Sequence, residues 1–184
     1  MTNPNEVKQA REIYERVARR LRRKGVAMPE TLPDLGAMIE TPGAALAADA
    51  IALEADFFAI GTNDLAMYTL AVDRAEVDVA HLYDPLHPAV LRLMHRHRGG
   101  AQAAHAGERL RRDGRQPRLV PLLLGLGIRC LSMNASAIPR VKQAIRALDI
   151  ADCARFARRV MEQSDPERIH ELVMSNAPGA LEKA

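Results

Sequence analysis

Tryptophan is absent from this 184-residue chain, and aromatic residues of any kind make up only 3% of it. A core must therefore be filled by Leu, Ala, Val, Ile and Met. Cysteine is nearly absent too. Cys130 and Cys153 have no C-x-x-C spacing, and they read as reduced thiols in apolar or helical surroundings of a cytoplasmic protein. No apolar run reaches 18 residues and the N-terminus is polar, which argues against a membrane span and a signal peptide. An excess of either sign of charge is lacking as well: the net charge of +3 dictates no partner. What is present, 48% hydrophobic residues over a domain-sized length, is enough for one substantial core.

The stretch Gly36–Arg74 organises the rest. Two short apolar segments each end on a carboxylate: Leu35 to Ile39 runs into Glu40, and Phe57 to Ile60 runs into Asn63 and Asp64. Between them Thr41 and Pro42 form a helix start, a capping hydroxyl followed by a ring pre-set for the first turn. Ala44, Ala45, Leu46, Ala48, Ile51 and Ala52 follow at helical spacing. Strand–helix–strand with a right-handed crossover makes the strands parallel. Ligands of parallel α/β proteins gather at the carboxyl ends of the strands, where Glu40 and Asp64 both fall. Two carboxylates about 4 Å apart repel by about 4 kcal/mol at an effective dielectric of about 20. A proton or a cation relieves that, and hard oxygen ligands suit Mg²⁺ or Mn²⁺. On spacing alone the alternative stands beside it: Glu40 caps a helix and Asp64 shapes a turn.

The residue strings add a resemblance. Met38-Ile39-Glu40-Thr41-Pro42, Phe57 to Leu65 (FFAIGTNDL), Tyr68 to Arg74 (YTLAVDR) and His81 to Pro85 (HLYDP) closely resemble enzyme I, the phosphoenolpyruvate–protein phosphotransferase family of the bacterial sugar phosphotransferase system. The match is to its C-terminal, phosphoenolpyruvate-binding domain, over roughly residues 6–161. The resemblance implies an α/β fold: the C-terminal half of a TIM (β/α)8 barrel, its last four β/α units, plus terminal helices. It implies a partial barrel domain over 1–176, with 177–184 a frayed tail. It further implies phosphoenolpyruvate binding by Asn63, Asp64 and Arg74, and Mg²⁺ binding by Glu40 and Asp64. A guanidinium suits the Arg74 role because it holds phosphate or carboxylate by two parallel hydrogen bonds.

Upstream, Asn3-Pro4 starts a helix with the seam Val7, Ala10, Tyr14, Val17 and Leu21, ending on a basic cluster before Gly25. Downstream, Asp84-Pro85 starts another, with Val90, Leu91 and Met94 on one face. From His95 to Gln116 the resemblance lapses. The family has there a helix and an apolar seventh strand ending in Cys-Gly-Glu, the cysteine being its proton donor. Here Gly107-Glu108 sets Ala106 at the approximate position of that cysteine, so no catalytic residue is assigned. No β-branched residue occurs over 95–116, so the seventh strand is doubtful. A locally shifted reading frame, or divergence in a loop, would each produce such a lapse, and the coding DNA distinguishes them. The resemblance resumes at Pro117. A helix over 119–126, a last strand over 128–133, a helix capped by Asn134 or Ser136 with Ile138, Val141 and Ile145 buried, and helices over 151–161 and 166–174 follow.

Two functions follow from different classes. In the first, the chain is the phosphoenolpyruvate- and Mg²⁺-binding portion of such a phosphotransferase. It is not active alone, because the acceptor-histidine domain, the front half of the barrel and the cysteine are unmatched. The phosphocarrier protein is then a partner of the complete enzyme only. In the second, it is a non-catalytic remnant or interaction module that pairs with another chain. Either way an uncovered half-barrel favours a homo-oligomer or a complementary half-barrel as partner. Eight arginines lie between Arg92 and Arg118, but without interleaved aromatics or a nucleic-acid-binding motif they do not make a nucleic-acid site.

Overall fold

The computed structural model describes residues 2–103, 107–111 and 117–176, with the backbone alone over 97–103 and 107–111. The architecture is helix-dominated α/β with one small parallel sheet. In chain order, α1 (Pro4–Arg23) leads to β1 (Gly36–Ile39), α2 (Pro42–Leu46), α3 (Ala48–Ala52), β2 (Phe57–Gly61), α4 (Thr62–Leu70), α5 (Pro88–Ala103) and β3 (Gly107–Arg111). Then come α6 (Val120–Gly125), β4 (Cys130–Ser132), α7 (Ile138–Arg146), α8 (Ile150–Met161) and α9 (Pro166–Ser175). All three strand pairings are parallel, in the order β1-β2-β3-β4.

Caps behave as the sequence demands. The Asn3 side chain accepts the Glu6 N–H at 3.1 Å, and the Thr41 hydroxyl accepts the Ala44 N–H at 3.2 Å, each with Pro at the first helical position. Gly25 ends α1 with φ +73°, a left-handed conformation cheap only for glycine.

The sheet buries one face. Ala37, Ile39, Phe58 and Ile60 are all within 2% of full burial. They join Ala44, Ala45, Ile51, Val90, Leu91 and Met94 from the covering helices in one core. Each large side chain fully withdrawn from water contributes roughly 1.5–3 kcal/mol. The alternate residues Met38, Phe57 and Ala59 are only half-buried, and Cys130 and Ser132 on β4 are exposed. At the amino ends of the strands, Arg11 reaches from α1 to the Glu54 carbonyl (2.8 Å) and the Asp56 carboxylate (3.0 Å), and Asp56 also accepts the Leu35 N–H at 2.7 Å. Burial pushes the Asp56 carboxyl up, but the Leu35 N–H and the Arg11 guanidinium outweigh it and hold it below the ordinary value.

Several expectations are corrected. Residues 107–111 form a strand, although nothing in GERLR favours one, because β2 and β4 present backbone groups on both sides that only an extended segment can pair. The face of α1 runs through Ala18, and Val17 is 47% exposed. The run after Thr41 breaks into two helices at Ala47, leaving Leu46 exposed. The helix expected from Asp84 starts at Pro88, after a turn in which Asp84 accepts the Leu86 N–H. On α7 Val141 and Ala144 are buried, Ile138 and Ile145 are exposed, and neither Asn134 nor Ser136 caps the helix. Cys130 is exposed, while Cys153 is buried, its thiol pushed up by burial and then by the nearby Asp149 charge. Residues 177–184 lie outside the described residues. Among the described residues no helix is long and apolar enough to cross a membrane.

Helices α6 and α8 meet at a glycine. A Cβ built on Gly125 would lie 2.0 Å from the Cys153 carbonyl oxygen and 2.7 Å from the Ala157 Cβ, a backbone contact that cannot move aside. Gly125→Ala is expected to destabilise by about 1–3 kcal/mol through overpacking. Gly43→Ala, where a Cβ meets nothing within 4 Å, is expected to stabilise α2 by about 0.5–1 kcal/mol. Urea denaturation of the two variants checks both signs.

Candidate functional site

The carboxyl ends of β1 and β2 open into a cleft of about 300 Å³ lined by Met38, Glu40, Gly61, Thr62, Asn63, Asp64 and Arg74. The four positions singled out in the sequence, Glu40, Asn63, Asp64 and Arg74, thus share one cleft. They arrive there by three routes. Ile39 pairs with Ile60 in the parallel ladder, so the next residue on β1, Glu40, comes abreast of Gly61. A Cβ on Gly61 would sit 2.9 Å from the Glu40 Cβ and 3.0 Å from its Oε2. The missing methyl group is what lets the carboxylate rest against the strand end.

The second route is α4. A nine-residue helix starts at Thr62, directly after β2, and sets Asn63 and Asp64 in its first turn. The first backbone N–H groups of a helix lack intrahelical acceptors, and its N-terminus carries a partial positive charge. Thr62 is buried at 1% exposure and anchors this turn.

The third route is a reversal after α4. Ala71 takes the left-handed conformation (φ 54°, ψ 41°), and the Val72 N–H returns to the Met67 carbonyl at 3.0 Å. Val72 is buried, and the chain carries Arg74, itself exposed, back to the cleft rim.

Tyr83 was not among the site residues chosen from the sequence, although it stands in one of the strings quoted above. Its hydroxyl donates to Asn63 Oδ1 at 3.0 Å across 20 residues of chain. Among the described residues no cluster of three or more His, Cys, Asp and Glu forms, so a cation here would have Glu40 and Asp64 as its carboxylate ligands. Ala106 lies outside the described residues. Its neighbour Gly107 pairs with Phe57 at the amino end of β2, and the residue at the carboxyl end of β3 is Arg111, abreast of Gly61.

Chemically, the cleft offers hard oxygen donors, amide and guanidinium donors, and a helix N-terminus within one small volume. That combination fits a small anion held together with a divalent cation.

Residues 1–150 match the family described as "PEP-utilising enzyme, PEP-binding domain", PEP being phosphoenolpyruvate. A phosphoenolpyruvate-protein phosphotransferase of Listeria monocytogenes is 40% identical over 174 residues, covering 92% of this chain and 30% of the relative. One from Haemophilus influenzae is 37% identical over 173 residues, covering 91% and 29%. A protein of Salmonella typhimurium named phosphoenolpyruvate-dependent phosphotransferase system is 40% identical over 166 residues, covering 88% and 22%. The chain thus spans about 30% of the length of the first of these relatives. With that match over 150 residues, the chain belongs to the PEP-binding domain family of the PEP-utilising enzymes.

Proposed function

We propose that this chain is the part of a phosphoenolpyruvate–protein phosphotransferase that binds phosphoenolpyruvate and Mg²⁺, and that it does not complete phosphoryl transfer by itself. The observation that supports this most is the single cleft shared by Glu40, Asn63, Asp64 and Arg74. Glu40 and Asp64 would hold the cation, and the fit rests on Gly61, whose bare Cα leaves room for the Glu40 carboxylate. Two carboxylates with water and a substrate oxygen completing the shell suit Mg²⁺. When bound, the ion neutralises charge on the phosphate. Arg74 binds the phosphate or carboxylate by paired hydrogen bonds, Asn63 donates from its amide, and the start of α4 favours the anion.

Phosphoryl transfer works by positioning and charge stabilisation from many groups at once. This cleft has one arginine, and the described residues supply no cysteine beside it. The half-buried Met38, Phe57 and Ala59 on the uncovered sheet face, together with the outer edges of β1 and β4, support a covering partner. We read that partner as a second copy or a complementary half of a barrel, with this chain as the last four β/α units.

Three outcomes test these readings. Mn²⁺ titrated by water-proton relaxation should bind the native chain weakly, and Asp64→Ala should abolish the response. Gly61→Ala should weaken it at least several-fold by displacing Glu40. Equal titrations of all three proteins would refute the cation site. In sedimentation velocity at micromolar concentration the chain should run as a dimer or larger species, and a monodisperse monomer would remove the covering-partner reading. Incubation with labelled phosphoenolpyruvate and Mg²⁺ should leave no acid-labile phosphohistidine on the lone chain. Stoichiometric label would show that it is catalytically complete.

A further inference from the structure

Tyr83 sits behind the cleft, not in it: it is not among the lining residues, whereas Asn63 is. Its phenol donates to Asn63 Oδ1 at 3.0 Å in a half-buried setting. Tyr83 itself is held on both sides along the chain. A 3₁₀ turn over Ala80–Leu82 precedes it. Asp84 follows it, and the Asp84 Oδ1 accepts both the Leu86 N–H (2.9 Å) and His170 Nε2 of α9 (3.0 Å).

An asparagine amide has two faces with opposite chemistry. Its oxygen accepts hydrogen bonds and ligates cations, while its nitrogen donates two hydrogen bonds and suits anions. Beside Glu40 and Asp64 either orientation has a use. Oxygen toward the cleft would make Asn63 a further cation ligand. Nitrogen toward the cleft makes it a donor to a phosphate or carboxylate oxygen. Here the phenol is the donor and Asn63 Oδ1 the acceptor, which points the amide oxygen at Tyr83 and matches the second orientation.

We propose that Tyr83 is a positioning residue that sets Asn63 as an anion donor and not a cation ligand, and so fixes which half of a metal–anion pair this side chain serves. The proposal rests on the phosphoenolpyruvate-binding reading and adds to it the group that sets the orientation of the Asn63 amide. Glu40 and Asp64 take the cation, and Asn63 takes the anion by an orientation imposed from the Tyr83 loop. Losing one hydrogen bond of this kind corresponds to about a two- to tenfold change in an equilibrium constant.

The test uses Tyr83→Phe, which keeps the ring and its packing. Binding is followed by Mn²⁺ relaxation, alone and with phosphoenolpyruvate, and the Asn63 side-chain amide is followed by ¹⁵N NMR. The expected result is phosphoenolpyruvate affinity weakened about two- to tenfold, Mn²⁺ affinity unchanged or tighter, and a shifted Asn63 amide signal. In an Asn63→Ala background, Tyr83→Phe should add nothing. Equal weakening of Mn²⁺ and phosphoenolpyruvate would mean a structural role only and would overturn the proposal. An effect that persists without Asn63 would do the same. If the native chain takes neither probe, the binding reading is what fails, and the amide signal still decides the rest. An Asn63 amide indifferent to Tyr83→Phe overturns the inference whatever the ligand data show.

Discussion

A carboxylate resting on the bare Cα of a glycine is the constraint on which the cleft depends. The parallel ladder sets Ile39 against Ile60 and so brings Glu40 abreast of Gly61. Only hydrogen at that α-carbon leaves the carboxylate its place, since a methyl group would stand 3.0 Å from Oε2. Because a slip of one residue turns every side chain of a strand to the other face, the buried set Ala37, Ile39, Phe58 and Ile60 also holds Glu40 in register. The hydrophobic layer and the cleft are consequences of the same pairing.

Among the described residues the sheet is fully buried on one side only. Helices α2, α3 and α5 share a core with β1 and β2, while Met38, Phe57 and Ala59 keep part of their surface in water. Parallel sheets are ordinarily covered on both faces, since crossover helices lie on each. The chain spans about 30% of the Listeria relative's length.

How much could be read in advance depended on how local the cause was. Asn3-Pro4 and Thr41-Pro42 announced their helices because a capping oxygen and the N–H it accepts lie three residues apart. The ends of β1 and β2 were legible because the apolar runs stop at Ile39 and Ile60. Val17 and Ala18 could not be separated, since both continue a stripe through Val7 and Tyr14 at steps of three or four. The burial of Ala18 is decided by what α1 packs upon. β3 was illegible for a stronger reason: GERLR is extended because β2 and β4 flank it, and neither neighbour adjoins it in sequence. The Tyr83–Asn63 hydrogen bond hid in the same way. Each residue stood in a string that carried the family resemblance, but no local pattern says that two residues 20 positions apart will touch.

Ala71 carries a consequence of another kind. An L-residue in the left-handed region gives up about 1–2 kcal/mol that glycine would keep, and here the residue is alanine. In the unfolded chain the methyl group narrows the directions open to this peptide, which glycine would widen. The folded enthalpy is therefore worse and the disorder to be lost on folding is smaller. The left-handed turn, which the methyl group disfavours, is the one that sends Val72 inward and Arg74 to the rim. A chain with glycine there would fold with less strain, from an unfolded state with more disorder to lose.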